Sequence, residues 1–252
     1  MKYINHIFDV GAFNGLDGLA LAIKNKDMMV HAFEANPDMV NVVKSNKKKI
    51  EKFLGKTICN FKIKNYAVSD KNIFLKFNIA VNPTVSSLQK FSKNIKRTWP
   101  GYAETHCKFI KQIKVKGITL KKYCKLNKIN KINYLHIDTQ GNDLKVLKGL
   151  ENLITIVDQG VLEAAINKQK ALYQHSNTVS EIRNFLKRKK YYVTKVVSIE
   201  KKINNEKNIY FKKNDFKKKY KINTKYNLRF FNRIISNQTN LKDKLYKFFK
   251  IY

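Results

Sequence analysis

The sequence has few cysteines and prolines and no long apolar run. Only three of the 252 residues are cysteine and three are proline. Cys59, Cys107 and Cys124 lack the paired spacing of a zinc site, and their odd number does not suggest a disulfide framework. No stretch approaches about 18 consecutive apolar residues, and Asp9 interrupts the N-terminal apolar run before it reaches signal-peptide length. We therefore expect a soluble, cytoplasmic protein.

Acidic residues are also scarce. The chain has 18 Asp and Glu against 52 Lys and Arg, a formal net charge of +34, and nearly all of the excess is lysine. Much of this charge is typical of solvated surface lysine. A field of this sign also favours contact with nucleic acid or anionic lipid. Composition alone leaves both interpretations open, but 43% hydrophobic residues are enough to fill a core.

The hydrophobic patterns alternate between strand and helix along the chain, which predicts a doubly wound α/β fold with a mostly parallel sheet. The predicted strands are residues 3–10, 28–33, 61–68, 73–77, 132–137 and 154–162. The predicted helices are residues 16–26, a segment opened by Asn36-Pro37-Asp38, and residues 141–149 and 176–189. Residues 191–199 and 208–211 predict a closing antiparallel hairpin. Residues 79–112 have no clear periodicity, which predicts a long functional loop or lid.

A glycine turn and an acid lie where ligands are expected, at the carboxyl ends of the first two strands. In the segment DVGAFNG (residues 9–15), Gly11 and Gly15 allow a tight turn and close backbone approach to a ligand at a helix N-terminus. The spacing is not that of a pyrophosphate-binding GxGxxG turn. Glu34 ends the second strand, where an acid can accept hydrogen bonds from both ribose hydroxyls. Together these features predict an adenosine ligand.

Seven blocks of the sequence resemble the FkbM family of S-adenosylmethionine-dependent methyltransferases. They occur in family order between about residues 6 and 192, and they are FDVGAFNG, AFEANPD, NYAVSD, SSL at Ser86, ITLKKY, INYLHIDTQGNDLKVLKGL and ALYQHSNTVSEIRNFLKRKKYYV. The resemblance implies the class I methyltransferase (Rossmann-like) fold. It also implies S-adenosyl-L-methionine as the cofactor and methyl transfer as the reaction.

The resemblance further implies which residues contact the cofactor. These are Asp9, Gly11, Ala12, Asn14 and Gly15 around the methionine end, Glu34 at the ribose, Ala67, Val68 and Ser69 along the adenine, and Asp138 beside the reacting methyl group. Two positions depart from the family, which usually has Glu where this chain has Gln140 and Asp143. Gln140 cannot supply a negative charge, and this puts the activity or the substrate in doubt.

The sequence disfavours two of the possible classes of methyl acceptor. Amine methylation of bases typically uses an Asn/Asp-Pro-Pro-aromatic clamp, and no two prolines here are adjacent. Carbon methylation of pyrimidines needs a reactive cysteine near the cofactor, and the three cysteines are expected to fill the core. A hydroxyl oxygen remains as the acceptor atom, and we expect it to belong to a sugar or glycan. A general base is needed to remove the proton of this hydroxyl. The candidate catalytic residues are Asp138 and Glu163, expected at neighbouring strand ends, and His175 in a loop.

Two further expectations concern His136 and metal ions. His136 alternates with Asp138 along its strand and is expected to be a buried, satisfied histidine. No metal is predicted, because Asp138 and Glu163 without further ligands form a weak set.

The C-terminal region differs in composition from the rest. We predict a methyltransferase domain at residues 1–213 and a basic, aromatic tail at residues 214–252. Apolar residues from Phe230 to Phe249 recur at helical spacing among lysines. Such a helix packs on the domain, or it associates with an anionic membrane or nucleic acid. From the sequence we expect the tail to be dispensable for cofactor binding.

Two other functions stay open at this point. One is an RNA methyltransferase, which the charge favours and the missing amine clamp disfavours. The other is a non-catalytic adenosine-binding or membrane-associated module, which Gln140 keeps open.

Overall fold

The computed structural model of the protein describes residues 5–198, 205–216, 222–226 and 228–236. The strands are β1 (His6–Val10), β2 (Met29–Glu34), β3 (Phe61–Asn65), β4 (Ala67–Val68), β5 (Phe74–Ala80), β6 (Phe109–Ile118), β7 (Tyr134–Ile137), β8 (Gln159–Ala165), β9 (Tyr191–Ser198) and β10 (Glu206–Lys213). The helices are α1 (Leu16–Lys24), α2 (Pro37–Leu54), α3 (Ile95–Thr98), α4 (Tyr102–His106), α5 (Leu120–Leu126), α6 (Asp143–Lys148), α7 (Val179–Arg188) and α8 (Leu228–Ile235). Short 3-10 helices form at Pro83–Val85 and Glu151–Ile156.

The main sheet has seven strands in the order β3-β2-β1-β7-β8-β10-β9. The pairs among β3, β2, β1, β7 and β8 are parallel, and β10 runs antiparallel to both β8 and β9. This confirms the predicted fold, a doubly wound, mostly parallel sheet of the class I methyltransferase type that ends in an antiparallel hairpin.

Helices cover both faces of this sheet. One apolar cluster unites the sheet with α5, α6 and α7, and a second unites it with α1, α2 and α8. The central strands are buried on both faces, which is why β2 is a continuous buried run from Met29 to Glu34. The predicted helix after Asn36 is α2, whose first turn is capped because Asn36 Oδ1 accepts a hydrogen bond from the Asp38 amide at 3.0 Å.

A small second sheet has the order β4-β6-β5, and its strands β4 and β5 fall largely within the predicted strands 61–68 and 73–77. The long strand β6 was missed, although apolar and basic residues alternate along much of it. The predicted strand 61–68 divides at Tyr66 between the two sheets. The predicted strand 154–162 instead begins in a 3-10 helix, where Ile154 and Val157 fill the core, and β8 starts only at Gln159.

The described part of the C-terminal region packs on the domain. Phe231 and Ile234 of α8 are 1% and 7% exposed, in the apolar cluster with α1 and α2. The side chain of Asn25 anchors the preceding segment, since it donates to the Asn223 carbonyl and accepts from the Asn223 amide. Ile235 packs against the same cluster, and the part of the predicted apolar stripe from Leu241 to Phe249 lies outside the described residues. Within the described ranges no helix combines the length and hydrophobicity needed to span a membrane.

Candidate cofactor pocket and active site

A pocket opens at the carboxyl ends of β1, β2 and β7, with β4 along one side. Eight of the ten residues predicted to contact the cofactor line it: Asp9, Gly11, Ala12, Asn14, Glu34, Ala67, Val68 and Asp138. The other two support the wall. Gly15 directly precedes α1 and has a left-handed backbone conformation (φ 77°). It packs so closely on Val43 that a Cβ atom at position 15 would collide with the Val43 side chain. Ser69 is buried, and its hydroxyl accepts from the Asn142 side chain at 3.3 Å.

The glycine turn holds the two central strand ends together. Gly11 has φ 89°, and a Cβ at this position would overlap the carbonyl oxygen of Asp138. The amides of Gly11 and Ala12 both donate to the Phe33 carbonyl, at 3.0 and 2.9 Å. The turn is therefore fixed between β2 and β7, and only glycine fits at its start.

Glu34 is almost fully buried at the end of β2. Its Oε2 accepts from the Phe13 amide at 2.7 Å, and its Oε1 accepts from the Asn36 amide at 2.8 Å. Burial raises its pKa to about 7, against the lowering effect of these hydrogen bonds. A carboxylate has about four acceptor positions, and the backbone amides of Phe13, Asn36 and Ala35 use three of them, so one remains for a ligand of the pocket.

An acidic network with one histidine forms the pocket floor. His136 Nδ1 lies 2.8 Å from Oδ1 of the fully buried Asp9. Burial lowers the pKa of His136, but the hydrogen bond to Asp9 and the negative charges of Asp9, Asp17 and Asp138 outweigh this and raise it to about 9. The Tyr226 hydroxyl donates to Asp17 Oδ1 at 2.5 Å. Burial, followed by the charge of Asp9, raises the pKa of Asp17.

Asp138, directly after β7, is held by Gln140. The side-chain nitrogen Nε2 of Gln140 donates to Asp138 Oδ1 at 2.7 Å. The side-chain oxygen Oε1 of Gln140 accepts from the Tyr173 hydroxyl at 2.8 Å. The Ser87 hydroxyl donates to the Gln140 carbonyl at 2.6 Å. Gln140 itself has φ 53°, so these contacts hold a left-handed residue in place.

Glu163 and His175 are not brought to this pocket. β8 continues to Ala165, so Glu163 is not a strand-end residue, and it lines a small neighbouring pocket with Asp143 and Glu206. Burial and then the charge of Glu206 raise the pKa of Glu163. His175 is exposed and absent from the lining of either pocket. Of the three candidate catalytic residues, only Asp138 lines the larger pocket.

The charge of the pocket is opposite to that of the protein. Among the described residues that line it are four acids and no lysine or arginine. The acids are Asp9, Asp17, Glu34 and Asp138. This lining suits a ligand that carries positive charge.

The sequence reasoning missed Asp17, the pairing of His136 with Asp9, and Tyr226. Asp17 had a local signal, because it lies in the first turn of the helix after the glycine turn. Tyr226 had none, because its contact with Asp17 joins residues 209 positions apart.

Together, the sheet, the glycine turn and the acidic pocket are those of a class I methyltransferase. The profile of the FkbM methyltransferase domain matches residues 9–193. The chain belongs to the FkbM methyltransferase family.

Solved methyltransferase structures are similar to this chain at low sequence identity. TrmK of M. capricolum, solved with S-adenosylhomocysteine, is 14% identical over 86% of this chain and 66% of that chain (TM-score 0.44). A methyltransferase FkbM from Methylobacillus flagellatus KT is 13% identical over 82% of this chain and 43% of that chain (TM-score 0.47). The chain thus spans under two thirds of the former and under half of the latter. No curated protein sequence matches the chain.

Proposed function

We propose that the protein transfers a methyl group from S-adenosyl-L-methionine to a hydroxyl oxygen of a neutral sugar or glycan, with Asp138 as the general base. The observation that carries this proposal is the composition of the pocket. Asp138 lines it, while none of its described lining residues is a cysteine, lysine or arginine. The cytoplasmic location expected from the sequence stays a prediction.

The residues of the pocket fit the cofactor. Bound S-adenosyl-L-methionine supplies a methyl group on a positively charged sulfonium. Glu34 keeps one acceptor position at the end of β2, which suits a ribose hydroxyl. Ala67 and Val68 offer an apolar wall for the adenine. The four acids favour the net positive charge of the ligand.

Asp138 is the group that can accept the proton of an acceptor hydroxyl. The side-chain amide of Gln140 donates a hydrogen bond to Oδ1 of Asp138, which fixes the orientation of this carboxyl group. A hydroxyl that binds within reach of Asp138 could pass its proton to the carboxylate as the new oxygen–carbon bond forms.

Carbon methylation through a cysteine lacks a nucleophile in this pocket. Cys124 is buried in the core as expected, whereas Cys59 is exposed and Cys107 is half-buried, and none of the three lines the pocket. Burial raises the pKa of the Cys124 thiol to about 12, so this thiol stays protonated.

The same acids favour a neutral acceptor over a phosphate-bearing one. A nucleotide phosphate near Asp138 would meet a negative charge without a lining cation to offset it. The net charge of +34 still supports RNA as the second candidate, through lysines outside the pocket. Membrane or nucleic-acid association through the basic tail, residues 214–252, stays a prediction. Residues 217–221, 227 and 237–252 of this tail lie outside those described.

Methyl transfer to each acceptor class tests the proposal. Purified protein and tritium-labelled S-adenosyl-L-methionine are incubated with neutral oligosaccharides or with total RNA, with the Asp138→Asn variant as the control. We expect label in the oligosaccharides as an alkali-stable methyl ether, and none with the variant. Label in RNA alone, with steep loss of RNA binding as salt rises, would replace the glycan proposal with the RNA alternative.

A further inference from the structure

His136 is the one residue lining the described part of the pocket that can carry a positive charge. It lies among the four acids, in a protein whose lysines are elsewhere abundant. The cofactor has a matching feature, since its amino-acid end carries both an α-ammonium and an α-carboxylate. The acids suit the ammonium, and a carboxylate among them needs a cation.

The orientation of the His136 ring is fixed by Asp9. Nδ1 of His136 is engaged by Asp9 Oδ1 at 2.8 Å, and Asp9 itself is fully buried. Among the described residues none hydrogen-bonds the other ring nitrogen, Nε2, and the His136 side chain keeps 24% of its surface exposed while it lines the pocket. A hydrogen-bonded Nδ1 with a free Nε2 is the arrangement that presents one directed donor to a ligand.

The position of the ring matches the amino-acid end of the cofactor. Asp9 opens the glycine turn, which the family resemblance assigns to the methionine end. His136 pairs with Asp9 in the β1–β7 register, and it precedes Asp138 by two residues, which places both side chains on the same side of β7. His136 thus contacts the residue that opens the turn and interacts electrostatically with Asp138, the residue expected beside the reacting methyl group.

We propose that His136 binds the α-carboxylate of the cofactor through Nε2–H, while Asp9 holds the imidazolium in position. This inference rests on the assignment of the pocket to S-adenosyl-L-methionine. It gives His136 a ligand-binding role in place of the buried, satisfied histidine expected from the sequence.

The charge state of His136 is set by groups from three elements packed around it. Asp9 comes from β1, Asp17 from α1 with Tyr226 donating to it, and Asp138 follows β7. Because they raise the pKa to about 9, the ring is charged at neutral pH, and this charge is lost as the pH rises through about 9.

Calorimetry with two ligands tests the role. S-adenosylhomocysteine has the α-carboxylate, and its decarboxylated analogue retains the amine but lacks that group. His136→Gln should weaken binding of S-adenosylhomocysteine at least about tenfold, the scale of a lost charged hydrogen bond. It should leave the affinity for the decarboxylated analogue within about twofold. His136→Lys, which keeps a cation, should restore much of the difference.

The pH dependence adds a readout that a structural role would not give. Between pH 7 and 10 the wild type should lose affinity for S-adenosylhomocysteine more steeply than the His136→Lys variant, because a lysine retains its charge further into this range. Using His136→Lys as the reference removes the contribution of the ligand's own amino group. This comparison uses only the wild type and His136→Lys, so it can be made even if His136→Gln does not fold.

Three outcomes separate the possibilities. Equal losses for both ligands in His136→Gln, or no loss for either, would overturn the carboxylate role. Glu34→Gln is the matched control, since a ribose contact should affect both ligands alike. If the wild type binds neither ligand, the pocket assignment fails and the His136 inference fails with it.

Discussion

The side-chain amide of Gln140 donates to Asp138 Oδ1 at 2.7 Å and accepts from the Tyr173 hydroxyl at 2.8 Å. The family usually has Glu at this position, but an ionised glutamate could not donate to Asp138. It would bring a second negative charge against the first. Gln140 therefore suits a site in which Asp138 accepts a hydrogen bond, and its departure from the family pattern gives no support to a non-catalytic module.

Asp138→Asn should abolish methyl transfer while cofactor affinity survives. Asparagine keeps the size of the side chain and an acceptor for the Gln140 amide, but it cannot take up a proton as a base. We expect turnover to fall at least about 100-fold, the lower end of general-base contributions. Turnover with the labelled methyl donor and calorimetry with S-adenosylhomocysteine measure the two effects. Equal rates in variant and wild type would remove the base role.

Gln140→Glu should move the pH dependence of methyl transfer upward. Two carboxyl groups this close share one proton, which raises the apparent pKa of the pair. The rising limb of kcat against pH should therefore shift to higher pH, with S-adenosylhomocysteine affinity changed little. Gln140→Met, which removes both hydrogen bonds without adding charge, is the control. If the rising limb of kcat against pH does not shift in Gln140→Glu, the side chain at position 140 does not influence the protonation of Asp138.

Glu34→Ala should weaken S-adenosylhomocysteine binding by about 1–3 kcal/mol, the scale of a lost hydrogen-bonded charge. The same variant should lower the melting temperature, because the amides of Phe13 and Asn36 lose their acceptor. Asp38→Asn, at an exposed position in the following turn, provides the control. Unchanged affinity in Glu34→Ala would exclude the ribose contact.

Phe231→Ala should destabilise the whole domain by about 3–5 kcal/mol, as expected for a buried aromatic side chain. Arg233→Ala, at an exposed position of α8, should have little effect. Truncation at Asn214 should likewise lower the melting temperature and weaken cofactor binding, since it removes Phe231 and the Tyr226 contact with Asp17. A truncated protein with unchanged stability and affinity would instead support the expectation that the tail is dispensable.

Asp143→Asn should stabilise the protein more at pH 8 than at pH 5. Burial, and then the charge of Asp138, raise the pKa of Asp143 from 3.8 to about 8. The folded state thus holds a proton that the unfolded chain releases above about pH 4, so stability falls as the pH rises towards 8. Asparagine removes this dependence, whereas Asp27→Asn at an exposed position should not. The melting temperatures of wild type and Asp143→Asn are measured from pH 5 to pH 8. The same pH dependence in both proteins would refute the prediction.

The convergence of Asp9, Glu34 and Asp138 could be predicted from the sequence. Each lies at or next to the end of a buried strand, and parallel strands place their carboxyl ends at one edge of a sheet. Glu163 shows the limit of this rule. The apolar run around it marks a strand but not where pairing stops, and pairing with β10 carries β8 on to Ala165.

The sequence by itself determined the alternating α/β order, the glycine turn, the strand-end acids and the family, because these depend on residues close together in the chain. Only the tertiary structure decided which partners meet. His136 pairs with Asp9 across 127 residues, Tyr226 reaches Asp17 across 209, and α8 fills the core beside α1 and α2. Local periodicity fixes which face of a strand or helix is apolar, but the contact made by a particular polar side chain depends on how distant elements pack together.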